Sequence, residues 1–375
     1  MRLDTASTNY TLLEKLQGIR LSFVALVLAL GGIGIVGMYS AASGSMEPWA
    51  TKQLIRFVFC TVIMLGLALV DVRFWLKSAY WIYGGVLFLL MLVLVTGHTG
   101  KGAERWLNLG PVQLQPSELM KIAMILALAR YFQGVSSEEI GRIRTLLVPL
   151  GLIFVPVALV LLEPNLGTSL ILIAIGGAIF WLAGVQAWKF GLVIGGVLAA
   201  IPVIWECMHD YQKSRVLTFL NPERDPHGAG YHITQSKIAL GSGGVFGKGF
   251  LEGTQSRLNF LPEKHTDFIF TVLAEEWGLI GALALLALYL IVVGYGFMIG
   301  LTCKNQFGRL VSMALSVNLF LYMFINMAMV MGLIPVVGVP LAMISYGGTS
   351  MLATMIGFGL ILSVLVHRDV RLDRR

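Results

Sequence analysis

Charge is scarce in this chain. Only 13% of its 375 residues are Asp, Glu, Lys or Arg, against 57% hydrophobic ones, and the mean hydropathy is +0.81. Soluble domains carry about twice that share of charge, so a water-solvated globule is excluded. Cysteine is scarcer still. Cys60, Cys207 and Cys303 are odd in number and far apart, which leaves no disulfide framework and no C-x-x-C metal or redox pair; they read as packing residues. No H-E-x-x-H, Walker or Rossmann pattern stands in a usable place. The nearest imitation, GSGGVFGKG at 241–249, has Ser242 where a P-loop needs Gly and Gly249 where it needs Ser or Thr. There is neither a solenoid-type repeat nor a low-complexity tract.

What the chain has in abundance is long apolar runs. Ten are long enough to cross about 30 Å of hydrocarbon, near 21–42, 54–70, 79–96, 117–133, 146–162, 167–184, 188–206, 268–301, 309–333 and 349–367. The first is too long for a signal-peptide core and reads as a retained span. The expected fold is therefore an all-α polytopic membrane protein with ten transmembrane helices, forming one domain over 1–375. With ten spans both ends share a side. The N-terminus, the alternate short loops with their flanks and the tail HRDVRLDRR hold fifteen Lys and Arg, whereas the short loops of the other face hold only Lys52, Arg56, Lys101 and Arg105. By the positive-inside rule both termini are cytoplasmic. The net charge of +7 then reflects topology and attraction to anionic lipid, not nucleic acid.

One connection breaks the pattern. Residues 207–266 form a sixty-residue extracytoplasmic loop between spans seven and eight, a length that is usually functional. It ends in FLPEKHTDFIFTVLAEEWG (260–278), where six of nineteen residues are ionisable: Glu263, Lys264, His265, Asp267, Glu275 and Glu276. Span four begins QPSELMK on the same face. Its Glu118 and Lys121 are three apart, about 60° around a helix, so they can pair, either as a helix-end ion pair or facing a cavity. Asp267 is open to two readings, an N-cap of span eight or a general base. Glu275 and Glu276, some 12 to 14 Å further along at 1.5 Å per residue, are expected near mid-membrane in interhelical bonds.

These residues are also recognisable. YQKSRVLTFLNPERDPHGAGYHITQSKIALGSGGVFGKGFLEGTQSRLNFLPEKHTDFIF (211–270) resembles the long outer loop of the SEDS family (shape, elongation, division and sporulation), its RodA branch above all. RWLNLGPVQLQPSELMKI (105–122) and GLIPVVGVPLAMISYGGTSM (332–351) agree with it, and the resemblance spans nearly the whole chain. It implies a peptidoglycan glycosyltransferase of the inner membrane. Such an enzyme polymerises lipid II on the outer face during elongation and rod-shape maintenance, with a class B penicillin-binding transpeptidase and other elongation-complex proteins as partners. Carried over by position, the family's essential aspartate falls on Asp267 and its acid–base pair on Glu118 and Lys121. The family's acidic residue eight positions before the aspartate is here Asn259.

On that resemblance Asp267 serves as the catalytic base, while Arg105, Glu118, Lys121, Arg215 and Lys264 bind substrate. No cofactor is certain; a divalent cation, Mg or Mn, could accompany the diphosphate, although no metal-ligand cluster marks a site. Two rivals use the same features differently. A flippase for the lipid-linked precursor needs polar groups reachable from both faces, and a non-enzymatic scaffold leaves the convergence of Asp267 with a Glu–Lys pair unexplained.

Overall fold

The computed structural model describes residues 11–372 except 97, 101, 102, 110, 111, 137, 226, 227, 259 and 262. Each of the ten apolar runs forms a long helix: α2 (Leu21–Ala41), α3 (Ala50–Ala68), α4 (Val72–Thr96), α5 (Pro116–Gln133), α6 (Ile143–Leu162), α7 (Leu166–Ala183), α8 (Ala187–Cys207), α12 (Ile269–Thr302), α13 (Gln306–Val330) and α14 (Gly348–Val366). Eight of these are long and apolar enough to cross a membrane; α5 and α8 fall outside that set. A short helix, α1 (Leu12–Gly18), opens the described chain on a Thr11–Glu14 capping box.

Packing explains the exception at α5. It carries Glu118, Lys121 and Arg130 in eighteen residues, yet fifteen of those residues are buried, because α4, α13, α7, α6 and α14 surround it. A helix enclosed on every side sees protein and not lipid, so it can hold ionisable groups that a lipid-facing helix cannot. α13 and α14 share this central position, packing on each other and on α5, while α3 lies along α14 and α12 along α13. By contrast most of α8 is exposed.

The connections at one end of the bundle, the loop face, are more ordered than their composition suggests. A small antiparallel sheet of β1 (His98–Gly100), β2 (Ala103–Leu109) and β3 (Val112–Leu114) stands in a region expected only as a loop. The described residues of the 207–266 connection include the α-helices α9 (Asp210–Leu220), α10 (Ala229–Ser242) and α11 (Thr254–Arg257) and a single 3-10 turn at Pro222–Arg224, and α10 packs on α12 and α13.

α12 is not one continuous rod. Its backbone breaks at Gly278, with φ 67° and ψ −165°, and the 243–250 loop inserts there. Lys248 and Gly249 donate their N–H groups to the carbonyls of Glu275 and Glu276 at 3.1 Å each, and Leu279 N–H reaches Gly244 O at 2.9 Å. The approach is so close that a Cβ on Gly278 would lie 2.2 Å from Gly247 N. The glycines that imitate a P-loop are thus there to let two backbones touch. After the break, 279–302 is still about 36 Å of helix at 1.5 Å per residue, enough to span alone. Glu275 and Glu276 therefore stand on the loop side of the break, within reach of the inserted connection. Glu275 Oε1 accepts from Lys248 Nζ at 2.7 Å, Thr254 Oγ1 at 3.1 Å and Gln255 N at 3.1 Å, all from the connection itself. Only Glu276 bonds between long helices, to Ser40 of α2.

Candidate active site

Two groups of polar side chains meet on the loop face. The first is the pair the spacing anticipates. Pro116 starts α5 at a position where its missing N–H costs nothing, which sets Glu118 and Lys121 one turn apart near the helix end. Lys121 Nζ lies 2.6 Å from Glu118 Oε1, with the two side chains 1% and 6% exposed. Sequence reasoning missed the third member, Tyr322 of α13, whose hydroxyl is hydrogen-bonded to both Lys121 Nζ and Glu118 Oε2. Burial of two charges is tolerable only when each finds such partners.

The second group surrounds Asp267. The residue at the cap of α12 is Phe268, one past Asp267, and it makes no side-chain cap hydrogen bond. Three backbone links hold the segment instead. Asn326, fully buried on α13, donates Nδ2 to Asp267 O and to Val339 O, each at 2.8 Å. Ser345 Oγ donates to Thr266 O at 2.6 Å, and Tyr346 N–H to His265 O at 2.8 Å. The 338–346 segment is thereby laced to 265–267 residue by residue. The half-buried Asp267 carboxylate faces Gly338, where a Cβ would stand 3.6 Å from Oδ2.

The remaining anticipated residues are more dispersed. Lys264 is buried three residues before Asp267, and that burial pushes its ammonium below the ordinary lysine range. Arg105 lies on β2, ahead of α5; its side chain, like the whole of Asn259, is outside the described residues. Arg215 sits half-buried on α9, which packs on α10, and it touches neither Asp267 nor the Glu118–Lys121 pair. Nearer the site, burial against Phe268 and Tyr231 lowers the His232 imidazole, with Glu263 and Asp225 opposing the shift. Among the described residues no three His, Cys, Asp or Glu side chains come together as a protein-built metal site requires.

Residues 20–370 match the model of a family of cell cycle proteins that takes in FtsW, RodA and SpoVE. The chain belongs to this SEDS family. It is 45% identical over 332 residues to the peptidoglycan glycosyltransferase MrdB of Escherichia coli K12, covering 88% of this chain and 89% of that one. A probable peptidoglycan glycosyltransferase FtsW of Thioalkalivibrio sulfidiphilus is 38% identical over 369 residues, 94% of this chain and 90% of its own. Among solved structures, a peptidoglycan synthase complex that coordinates polymerization and crosslinking superposes with a TM-score of 0.81 at 32% identity, over 93% of this chain and 98% of that one. The rod shape determining protein RodA of Thermus thermophilus does so with a TM-score of 0.72 at 29% identity, over 94% and 98%. Both site groups of this SEDS protein lie within the matched span.

Proposed function

We propose that this SEDS protein is the peptidoglycan glycosyltransferase that polymerises lipid II during elongation. The observation that carries the reading is the half-buried Asp267 carboxylate, fixed through its backbone at the rim of an apolar bundle, in a chain whose curated relatives are peptidoglycan glycosyltransferases. All ten long helices cross the inner membrane, α5 shielded by its neighbours and α8 facing lipid. The loop face is extracytoplasmic and both termini are cytoplasmic, on the distribution of basic residues.

A donor on that face has no nucleotide pool to draw on and must arrive pre-activated, which a lipid diphosphate provides. Asp267 takes the proton of the acceptor glucosamine 4-hydroxyl. The freed oxygen pair bonds carbon 1 of the donor sugar from the side opposite its diphosphate, the carbon–oxygen bond to phosphate breaks, and undecaprenyl diphosphate leaves with that pair, inverting carbon 1. The leaving group gains negative charge, so cations are needed around it. Arg105, Arg215 and Lys264 supply them from connections of the loop face. Lys121, committed to Glu118 and Tyr322, acts through its field and through the shape it gives the cavity. The Mg or Mn ion considered from sequence finds no protein-built site among the described residues, and no step is routed through it.

The partner on this reading is a class B penicillin-binding transpeptidase within the elongation complex, which the likeness to a synthase complex joining polymerization to crosslinking supports. The test is glycan synthesis from lipid II by the purified protein with and without that transpeptidase. Wild type should polymerise, and Asp267→Asn, nearly isosteric but unable to take the proton, should lose about 10² or more in rate while still binding the partner. Polymerisation at the wild-type rate by folded Asp267→Asn would remove the base assignment.

A further inference from the structure

A row of side chains beside Asp267 has no part in that scheme. Gln53 and Arg56 are three apart on α3 and share one face. Gln53 is buried and donates Nε2 to Ser345 O at 3.2 Å. One turn later the Arg56 guanidinium carbon lies 4.9 Å from the centroid of the Tyr346 ring. Tyr346 bonds His265 through the backbone, with their rings 6.1 Å apart, and His265 lies flat on the Trp49 indole at 4.4 Å and 9°. Trp49, His265, Tyr346 and Arg56 thus form a continuous row that passes through His265, two residues before Asp267.

The state of the guanidinium decides what the row can do. Lys121 is buried and bonded to Glu118 and Tyr322, and Lys248 is spent on Glu275. Arg56 is half-buried and rests on a ring face, yet it makes no hydrogen bond or ion pair with any described residue. Its planar fork of five donors, pre-oriented by the ring, is left for something else. Space is kept open in front of it, since a Cβ on Gly348 would stand 3.3 Å from Arg56 Nε and 3.4 Å from Cζ. A fork of N–H donors held flat and unpaired fits the paired oxygens of a phosphate group, and an ammonium would reproduce the charge without the bidentate geometry.

We propose that Arg56 is a further binding residue for the diphosphate of the lipid-linked donor, held in place by the Trp49–His265–Tyr346 row and added to the cations of the loop-face connections. This rests on the glycosyltransferase reading and deepens it. The guanidinium would hold the diphosphate at carbon 1 while Asp267 works at the acceptor hydroxyl, and it would meet the charge that grows on the leaving group.

The experiment uses the full-length protein in detergent, with farnesyl diphosphate, farnesyl monophosphate, inorganic pyrophosphate and farnesol as probes and lipid II polymerisation run in parallel. Arg56→Gln should weaken farnesyl diphosphate binding about tenfold or more and lower kcat/KM for lipid II by a similar factor, with Arg56→Lys between it and wild type. Gly348→Ala keeps every charge and should weaken diphosphate binding by crowding the fork, which covers the case in which Arg56→Gln lowers the melting temperature. Farnesol binding should not change. Competition by pyrophosphate as strong as that by farnesyl diphosphate would overturn the lipid-linked ligand and leave a free-anion site. Wild-type diphosphate binding in both Arg56→Gln and Gly348→Ala, or no diphosphate binding by wild type, would also overturn it. A wild-type protein that makes no glycan would instead refute the function, whereas glycan synthesis lost in Asp267→Asn but untouched in Arg56→Gln would refute this subsite alone.

Discussion

Removal of Glu118 tests whether the buried pair is structural, functional or both. Lys121 is 1% exposed, and its partners are Glu118 Oε1 at 2.6 Å and the Tyr322 hydroxyl. Glu118→Ala leaves an ammonium with one neutral partner inside a helix bundle, and losing one member of such a pair costs about 3 to 5 kcal/mol. Glu118→Gln keeps the volume and an acceptor, so it should cost less, about 1.5 to 3 kcal/mol. The double change Glu118→Gln with Lys121→Met removes both charges and should recover most of the stability lost by Glu118→Ala, because apolar replacement of a buried pair is often neutral. Swapping the charges, Glu118→Lys with Lys121→Glu, should recover folding for a different reason, since the pair can re-form. Neither double variant places an ammonium at 121, so if Lys121 contributes its field to the diphosphate, both should stay inactive in polymerisation despite recovering in thermal unfolding. Both measurements belong on the same preparations. A loss below about 1 kcal/mol for Glu118→Ala would refute the buried pair, and recovery of activity together with stability would leave Lys121 structural only.

Two further expectations concern the loop face. Gly278→Ala combines a disfavoured positive φ with a Cβ placed 2.2 Å from Gly247 N, so it should cost about 1 to 3 kcal/mol and lower polymerisation, whereas Gly294→Ala in the same helix, with nothing within 4 Å, should do neither; equal unfolding of the two would deny the inserted loop. In a background lacking the exposed Cys207, a cysteine at Ser242 should be labelled from outside intact cells and one at Arg371 should not; labelling at Arg371 alone would invert the orientation and move the site to the cytoplasm.

The helices were legible because lipid imposes a length and a composition on whatever crosses it, and all ten runs are helical. The Glu118–Lys121 pair was legible from spacing alone. Tyr322 was not, because a tyrosine at a helix position carries no mark of its partners, which stand 201 and 204 residues earlier in the chain. Asn326 left more of a trace, since an amide amid LYMFINMAMV is expensive in a membrane segment and should be bonded; its partners, two backbone carbonyls, could not be named. The surroundings of Glu275 were not foreseen: its partners come from the connection and not from another long helix, and Gly278, ordinary in a membrane sequence, gave no sign that another backbone would be threaded against it. The sheet at 98–114 was missed because its strands are three to seven residues long, too short for alternation to register.

Tyr322 and Asn326 are four apart on α13 and so lie on one face, one turn from each other. The first holds the Glu118–Lys121 pair of α5, and the second holds the Asp267 backbone together with Val339. Two groups that come from distant parts of the sequence are therefore fixed to the same rigid helix, within about 6 Å of rise. Neither link is to the Asp267 carboxylate. Bonds to the backbone carbonyls fix where the residue sits without drawing on the carboxylate that must take the proton. A site that must be both well placed and able to take a proton is better served by main-chain anchors, and His265, Thr266 and Asp267 are each anchored in that way by α13 or by the segment leading into α14.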